Sequence, residues 1–205
     1  MADKQPVLIV IAGPNGSGKT TITEQLLAHE WGEDCCYINP DLIARDKFGD
    51  WNSDEAVLKA ARYATELRYD LLSRRESLVF ETVLSSDEKI EYIRQAKQAG
   101  YFVRVFFVST ASPSINAARI TSRYIKGGHS VPIDKIVSRY TKSIVNCSRI
   151  VSLADRVYLF DNTAENATAV LLFRTADGTL ARQYVADIPR WAAGIFSQAV
   201  RKDAR

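Results

Sequence analysis

Near the start of the chain, GPNGSGKT sets Gly13, Gly18, Lys19 and Thr20 in the order Gly-x-x-x-x-Gly-Lys-Thr. The stretch follows VLIVIAG (7–13), a β-branched apolar run that predicts a strand buried on both faces. It opens a segment, about 18–30, that predicts a helix. In that context each residue type has a task. Glycines let the backbone wrap around phosphate oxygens with N–H groups turned inward, and the helix N-terminus adds partial positive charge. A lysine here reaches the β- and γ-phosphates, and the Thr20 hydroxyl can hold Mg²⁺. The expected nucleotide-binding residues are Gly13, Pro14, Asn15, Gly16, Ser17, Gly18, Lys19, Thr20 and Thr21, with ATP and Mg²⁺ as the ligands. No NKxD stretch is present to read a guanine, and no run of four apolar residues ends in Asp-Glu as in motor ATPases. A small-molecule or nucleotide kinase is the class that remains.

A kinase needs a carboxylate to accept or orient the proton of the attacking hydroxyl. In a parallel sheet, ligands bind beyond the carboxyl ends of the strands, and three polar residues fall there. Asp41 follows the short strand CCYIN (35–39), and Glu81 and Thr82 end SLVFET (77–82). Asp41 is the expected base. It also sits where a helix N-cap would, because PDLIARD can begin a short helix. Glu81 could hold Mg²⁺ through water, bind acceptor hydroxyls with Thr82, or serve as a structural carboxylate.

A third group is cationic. Arg119, Arg123 and Lys126 share one face of a predicted helix over 112–126. Lys135, Arg139 and Lys142 repeat the spacing on a helix over 132–153. Gly127-Gly128 between them would make a hinged lid, bringing guanidinium groups onto the γ-phosphate as charge builds there. Arg123 and Arg139 are expected to act on the phosphate and Arg119 to bind ATP. Lys126, Lys135 and Lys142 read as solvated, and His129 as a loop-packing residue.

The elements that must carry these groups alternate. Helices are expected over 53–74, capped by Ser53 with Val57, Ala61, Ala64, Leu67 and Leu71 inward, and from a Ser86 cap to Ala99. The lid's second helix should bury Ile133, Ile136, Val137, Tyr140 and Ile144. Strands are expected at 101–109 and 156–162, completing a five-stranded parallel α/β sheet with helices on both faces. AVLLFRTADGTLARQYVAD predicts an antiparallel pair turning at Asp177-Gly178, before a last helix from Pro189. One domain over 1–205 is expected, with the lid at about 112–153 and the C-terminal hairpin and helix at about 168–202. Cys35, Cys36 and Cys147, three with no CxxC spacing, suggest neither a disulfide framework nor a zinc site. With no apolar run of spanning length and no signal-peptide cleavage region, the expected setting is cytoplasmic, with no membrane partner. The net charge of +3 conceals an asymmetry: residues 24–91 hold 8 Lys/Arg and 16 Asp/Glu, residues 104–156 hold 9 and 2. The basic segment suits an anionic ligand.

Taken in order, IAGPNGSGKTT, INPDLIA, LVFETVLSS, RITSRYIKGGHSVPIDKIVSRY and YLFDN resemble the zeta-toxin-like P-loop kinases, especially their short single-domain branch, over about residues 7–165. The resemblance implies a nucleotide-kinase fold and ATP-dependent phosphorylation of the sugar 3′-hydroxyl of UDP-N-acetylglucosamine. It implies Lys19 as the phosphate-loop lysine, Asp41 as the base, Glu81 as an acid near the acceptor and Arg123 as the first lid arginine. Where the long toxins have their second lid arginine near the GGH loop, this chain has Arg139 as the nearer candidate, and its acceptor-binding insertions are shorter. The family adds an antitoxin protein as a possible partner. Two other readings of the residues stand beside this one. One is a polynucleotide or RNA-end kinase, which the basic segment allows, though the modest net charge and lack of a basic tail make nucleic acid the less expected partner. The other is a nucleotide-binding switch without transfer.

Overall fold

The computed structural model describes residues 5–49, 53–125 and 131–201. Its frame is a seven-stranded sheet in the order β2-β3-β1-β4-β5-β6-β7. β1 (Val7–Ala12), β2 (Cys36–Ile38), β3 (Leu78–Thr82), β4 (Phe102–Ser109) and β5 (Arg156–Asp161) run parallel. β6 (Val170–Ala176) and β7 (Thr179–Gln183) return antiparallel. Between them Asp177 and Gly178 both have positive φ, 51° and 82°, the geometry of a tight hairpin turn. β1 lies between β3 and β4, so its apolar run is buried on both faces and its carboxyl end points the phosphate loop into the middle of the sheet's upper edge.

The helices are α1 (Lys19–Leu27), α2 (Pro40–Phe48), α3 (Asp54–Ser73), α4 (Asp87–Gln98), α5 (Pro113–Ile125), α6 (Ile133–Ile150) and α7 (Ala193–Val200). They cover the two faces unequally. Val10, Phe80, Val105 and Phe107 pack with Ala64 and Leu71 of α3, Ile90 and Ile93 of α4, Cys147 and Ile150 of α6, and Ile195 and Ala199 of α7. On the other face Ile9, Ile11 and Val79 meet Ile22 and Leu26 of α1. The mixed α/β sheet with helices on both faces and an antiparallel extension is the expected fold class.

Three local expectations need correction. α6 buries Ile136, Tyr140, Ser143, Asn146, Cys147 and Ile150, whereas Ile133 and Val137 are exposed. The buried stripe passes through polar residues because they are satisfied or small: Asn146 Nδ2 donates to the Leu84 carbonyl at 3.0 Å. α3 buries Ala56, Ala60, Ala64, Arg68 and Leu71. Counting apolar residues misplaced this face, since Arg68 takes a core position by pairing with Glu88 and lying over the Phe80 and Tyr92 rings. Ser86 stands at the N-cap of α4 but its side chain makes no capping bond, unlike Ser53, whose hydroxyl accepts from Ala56 N.

The C-terminal elements reach the upper edge. Trp191 packs on Phe107 and donates its indole N–H to Asp161 Oδ2 at 2.6 Å, while Asp161 Oδ1 accepts from Thr163 N. The tail thus fixes the loop leaving β5.

Candidate active site

The phosphate loop is built where no side chain fits. Gly13 has φ +148°, and a Cβ there would lie 2.0 Å from the Val108 carbonyl oxygen. Gly18 has φ +97°, and a Cβ would lie 2.3 Å from Asn162 Nδ2. That amide donates to Ser17 O at 2.8 Å, and Asn116 Nδ2 donates to Asn15 O at 2.6 Å, so asparagines from β5's end and from α5 clamp the loop. Lys19 Nζ donates to the carbonyls of Gly13 at 2.9 Å and Pro14 at 3.1 Å. Burial holds the Lys19 pKa below its ordinary value, Glu81 and then Asp41 pull it back up, and Arg123 adds to the lowering. One ammonium therefore feels both acids and a lid arginine. Asn15 Oδ1 and Ser17 Oγ are buried without partners among the described residues. This glycine-built loop, with the Lys19 ammonium beside it and the start of α1 behind it, fits a nucleotide phosphate.

Asp41 is free of the capping duty its position suggests. Asn39 is the N-cap of α2: its Oδ1 accepts from Asp41 N at 2.9 Å and Leu42 N at 3.5 Å, with Pro40 as the first helical residue. Asp41 is left exposed. Asn39 Nδ2 also donates to the Tyr37 hydroxyl at 2.9 Å. Tyr37 donates to Glu81 Oε1 at 2.7 Å, and Thr23 Oγ1 donates to the same oxygen at 2.8 Å. Burial first, and the Glu81 charge second, raise the Tyr37 pKa well above the usual phenol value, so it remains a donor. Both bonds land on Oε1, leaving Oε2 without a protein partner among the described residues. Thr82 is buried, and its hydroxyl accepts from Leu84 N at 3.0 Å, which braces the turn after β3.

These groups share one cleft of about 740 Å³. Its wall includes Lys19, Thr20, Asp41, Glu81, Thr82, Arg119, Arg123 and Arg139. Asn15, Gly16 and Gly18 also line it, while Gly13, Pro14 and Ser17 are buried and Thr21 is exposed outside its wall. Lys135 and Lys142 are exposed and do not line it. Lys126, the Gly127-Gly128 hinge and His129 lie outside the described residues. Arg119 belongs to this cleft and to a second hollow of about 350 Å³ against Gly16 and Gly18, which Asn162 and residues 164–167 complete. Its guanidinium donates to the carbonyls of Asn162 at 2.8 Å, Thr163 at 3.4 Å and Ala164 at 3.1 Å. Among the described residues no group of three His, Cys, Asp or Glu could hold a metal ion. Oxygens suited to a hard cation on the cleft wall include Thr20 Oγ1 and the Glu81 and Asp41 carboxylates.

The profile of the zeta toxin family matches residues 1–177. The chain belongs to the zeta toxin family. An uncharacterized protein of Haemophilus influenzae is 29% identical over 134 residues, 64% of this chain and 91% of that one. The PezAT toxin–antitoxin system of Streptococcus pneumoniae contains a chain of the same fold, with TM-score 0.61 and 19% identity, covering 98% of this chain and 80% of that one. The AvrRxo1-ORF1:-ORF2 complex with ATP aligns with TM-score 0.67 and 20% identity over 96% of this chain and 64% of its own. At these identities the two structures speak for the fold. No helix among the described residues is long and apolar enough to cross a membrane.

Sequence reasoning missed Asn39, Tyr37, Thr23, Asn116, Asn162 and Arg68. Two of these carried a readable signal. Asn39-Pro40 before an apolar-periodic stretch is an N-cap followed by an N1 proline. Asn162 directly follows β5 at the sheet's carboxyl edge, where the rule that selected Asp41 and Glu81 also applies.

Proposed function

We propose that this zeta-toxin family member transfers the γ-phosphoryl group of ATP to a hydroxyl of a small molecule, with UDP-N-acetylglucosamine or a related nucleotide sugar as the first acceptor to test. The observation that carries the proposal is the single cleft shared by Lys19, Asp41, Glu81, Arg123 and Arg139. The nucleotide base would lodge in the hollow beside Arg119 and Asn162, with the phosphates running over Gly16–Gly18 to Lys19. Asp41 takes the acceptor's proton as its oxygen bonds to the γ-phosphorus and the bond to the β-phosphate oxygen breaks. Arg123 and Arg139 stabilise the charge that spreads over the transferring group. Thr20 would hold Mg²⁺, with Glu81 reaching it through water or binding acceptor hydroxyls; the cation, when bound, neutralises phosphate charge. A cytoplasmic setting supplies ATP and nucleotide sugars. An antitoxin, as in the PezAT system, is a partner to seek by co-purification.

The test is incubation with ATP, Mg²⁺ and either the candidate acceptor or a metabolite extract, followed by mass spectrometry for a species one phosphate heavier. Asp41→Asn should lower transfer by roughly 10²- to 10⁴-fold while nucleotide binding persists. Nucleotide binding with no phosphorylated product from any small-molecule pool would return the chain to a switch. Label on oligonucleotide ends would make it an end kinase.

A further inference from the structure

A second cationic surface lies away from the cleft, on the side of the sheet that α1 packs against. The apolar cluster on that side draws on one α-helix, α1, and on Trp31. Arg104 and Phe106 of β4 turn to it, as do Arg156, Tyr158 and Phe160 of β5, by the alternation of a strand. Register carries the pattern across the sheet: Arg104 stands opposite Arg156, Tyr158 opposite Arg174, and Arg174 opposite Arg182. Four guanidinium groups thus form a band from β4 to β7, about 15 Å across. Arg104 and Arg156 lie towards the amino ends of their strands, whereas the transfer cleft opens at the carboxyl ends.

The band is short of counter-charge. No acidic residue on β4 to β7 faces this side, and Asp177 of the hairpin turn reaches Arg156 at 3.4 Å. Arg104, Arg174 and Arg182 make no hydrogen bond or ion pair among the described residues, and the Nε atoms of Arg104 and Arg174 are buried without a partner. Rings hold the cations instead. The Arg104 guanidinium lies 4.2 Å from the Trp31 centroid, Arg156 5.6 Å from that of Phe102, and Arg182 4.9 Å from that of Tyr184. Like charges directly opposite on paired strands destabilise a sheet, and two such pairs stand here. The basic segment over 104–156 is therefore divided: Arg119, Arg123 and Arg139 serve the cleft, Arg104 and Arg156 this face.

We propose that this face binds a single-stranded nucleic acid, its phosphates on the four arginines and its bases against the rings and guanidinium planes between them. Arginine forks grip phosphate oxygens in pairs, which suits a face whose cations are all arginine. A folded acidic protein would meet the charge too, but a protein interface sets its charges around an apolar centre. Here the cations occupy the middle, and the rings of Trp31, Phe102 and Tyr158 lie half-buried among them. Interleaved charge and ring match a strand that alternates phosphate and base. Because the band is remote from the cleft, binding there neither requires nor supplies phosphoryl transfer.

The test is fluorescence anisotropy of the full chain with short labelled RNA and DNA strands of one sequence, from about 50 to 200 mM salt. Both strands should bind, since the contacts are to phosphate and ring. Four neutralised phosphates give a log–log salt slope of about −2.8, and Arg156→Gln with Arg182→Gln should bring it to about −1.4. The same double variant should melt no lower than wild type, because each change relieves an opposed pair. Tyr184→Ala should weaken binding about fivefold or more with the slope unchanged. Saturating ATP should leave binding as it is. Competition by ATP, or loss of binding in Lys135→Gln with Lys142→Gln instead, would put the strand in the cleft or on the lid and overturn the proposal. A labelled polyglutamate peptide that binds as tightly and fails in the same arginine variants would make the face a dock for an acidic protein. That result would overturn it as well, as would no salt-dependent binding of either strand.

Discussion

Lys19→Met separates what the phosphate loop does for stability from what it does for function. The Lys19 ammonium bonds two loop carbonyls, but burial still outweighs Glu81 and Asp41 and holds its pKa below the ordinary value. The folded state therefore favours the neutral amine more than the unfolded chain does. The cost of burying the charge is present at neutral pH and lifts as pH rises from the depressed folded pKa towards the ordinary lysine value. Methionine keeps the alkyl stem and removes the charge. Without nucleotide, Lys19→Met should melt at or above the wild-type temperature at pH 7, and wild type should gain on it as the solution is made alkaline. With ATP at about 100 times its Kd, wild type gains about 2.7 kcal/mol, or about 5–10 °C for a chain this size. Lys19→Met at the same ATP concentration should gain almost none of that. Thermal melts with and without ATP, from pH 7 to pH 10, measure both differences. If the variant melted several degrees below wild type without ATP, the ammonium would be a net stabiliser and the reasoning about burial would be wrong. If it kept the ATP-induced shift, Lys19 would not be the phosphate-binding lysine.

Asn39→Ala removes an N-cap and the donor to Tyr37, about 1 kcal/mol each, and should lower the melting temperature by about 4–8 °C; Asn39→Ser, which restores only the cap, should recover about half. Arg119→Ala releases three carbonyls of the loop after β5 and should weaken ATP binding about tenfold or more, read by calorimetry, with Arg119→Lys a poor substitute because an ammonium cannot span that fan of acceptors.

The parts of the site that could be read in the sequence are those fixed by local rules. A strand, a glycine turn and a helix in succession dictate the phosphate loop, so Gly13 to Thr20 were legible without tertiary information. Asp41 and Glu81 followed from one topological rule about strand ends. The partners that fix those acids were not legible, because Tyr37, Thr23 and Glu81 meet only when β2, α1 and β3 are assembled, and nothing in 58 residues of separation between Thr23 and Glu81 announces the contact. Arg68 was hidden for the opposite reason. It sits at helical spacing among alanines, and a rule that ranks arginine as exposed assigns it to solvent. Only Phe80, Tyr92 and Glu88, brought in from β3 and α4, make its burial tolerable. The apolar stripe of α6 was misplaced because Ile133 and Val137 lie off the helix face that carries Ile136, Tyr140, Cys147 and Ile150; Ile136, between them, is buried against Ile120 and Val131.

The site divides by charge as well as by element, and the division has a consequence in solution. Its fixed half is clamped by amides and hydroxyls: Asn39 on α2, Asn116 and Asn162 on the phosphate loop, Tyr37 and Thr23 on the Glu81 carboxylate. Its cations opposite the loop come from the helix pair, and they differ in exposure: Arg123 is exposed, while Arg139 and Arg119 are half-buried. Salt screens an exposed charge strongly, because the screening length falls from about 10 Å at 0.1 M to about 3 Å at 1 M, and it reaches partly buried groups much less. Hydrogen bonds between neutral groups hold the same geometry throughout. Rising ionic strength should therefore weaken ATP binding chiefly through Arg123. Titrations between 0.05 and 0.5 M salt should show a shallower dependence in Arg123→Ala than in wild type, while Asn162→Ala should shift the whole curve with its slope unchanged. If Arg123→Ala kept the wild-type slope, that guanidinium would not lie within reach of the phosphates, and the charge on the transferring group would be met by Lys19 and Arg139 alone.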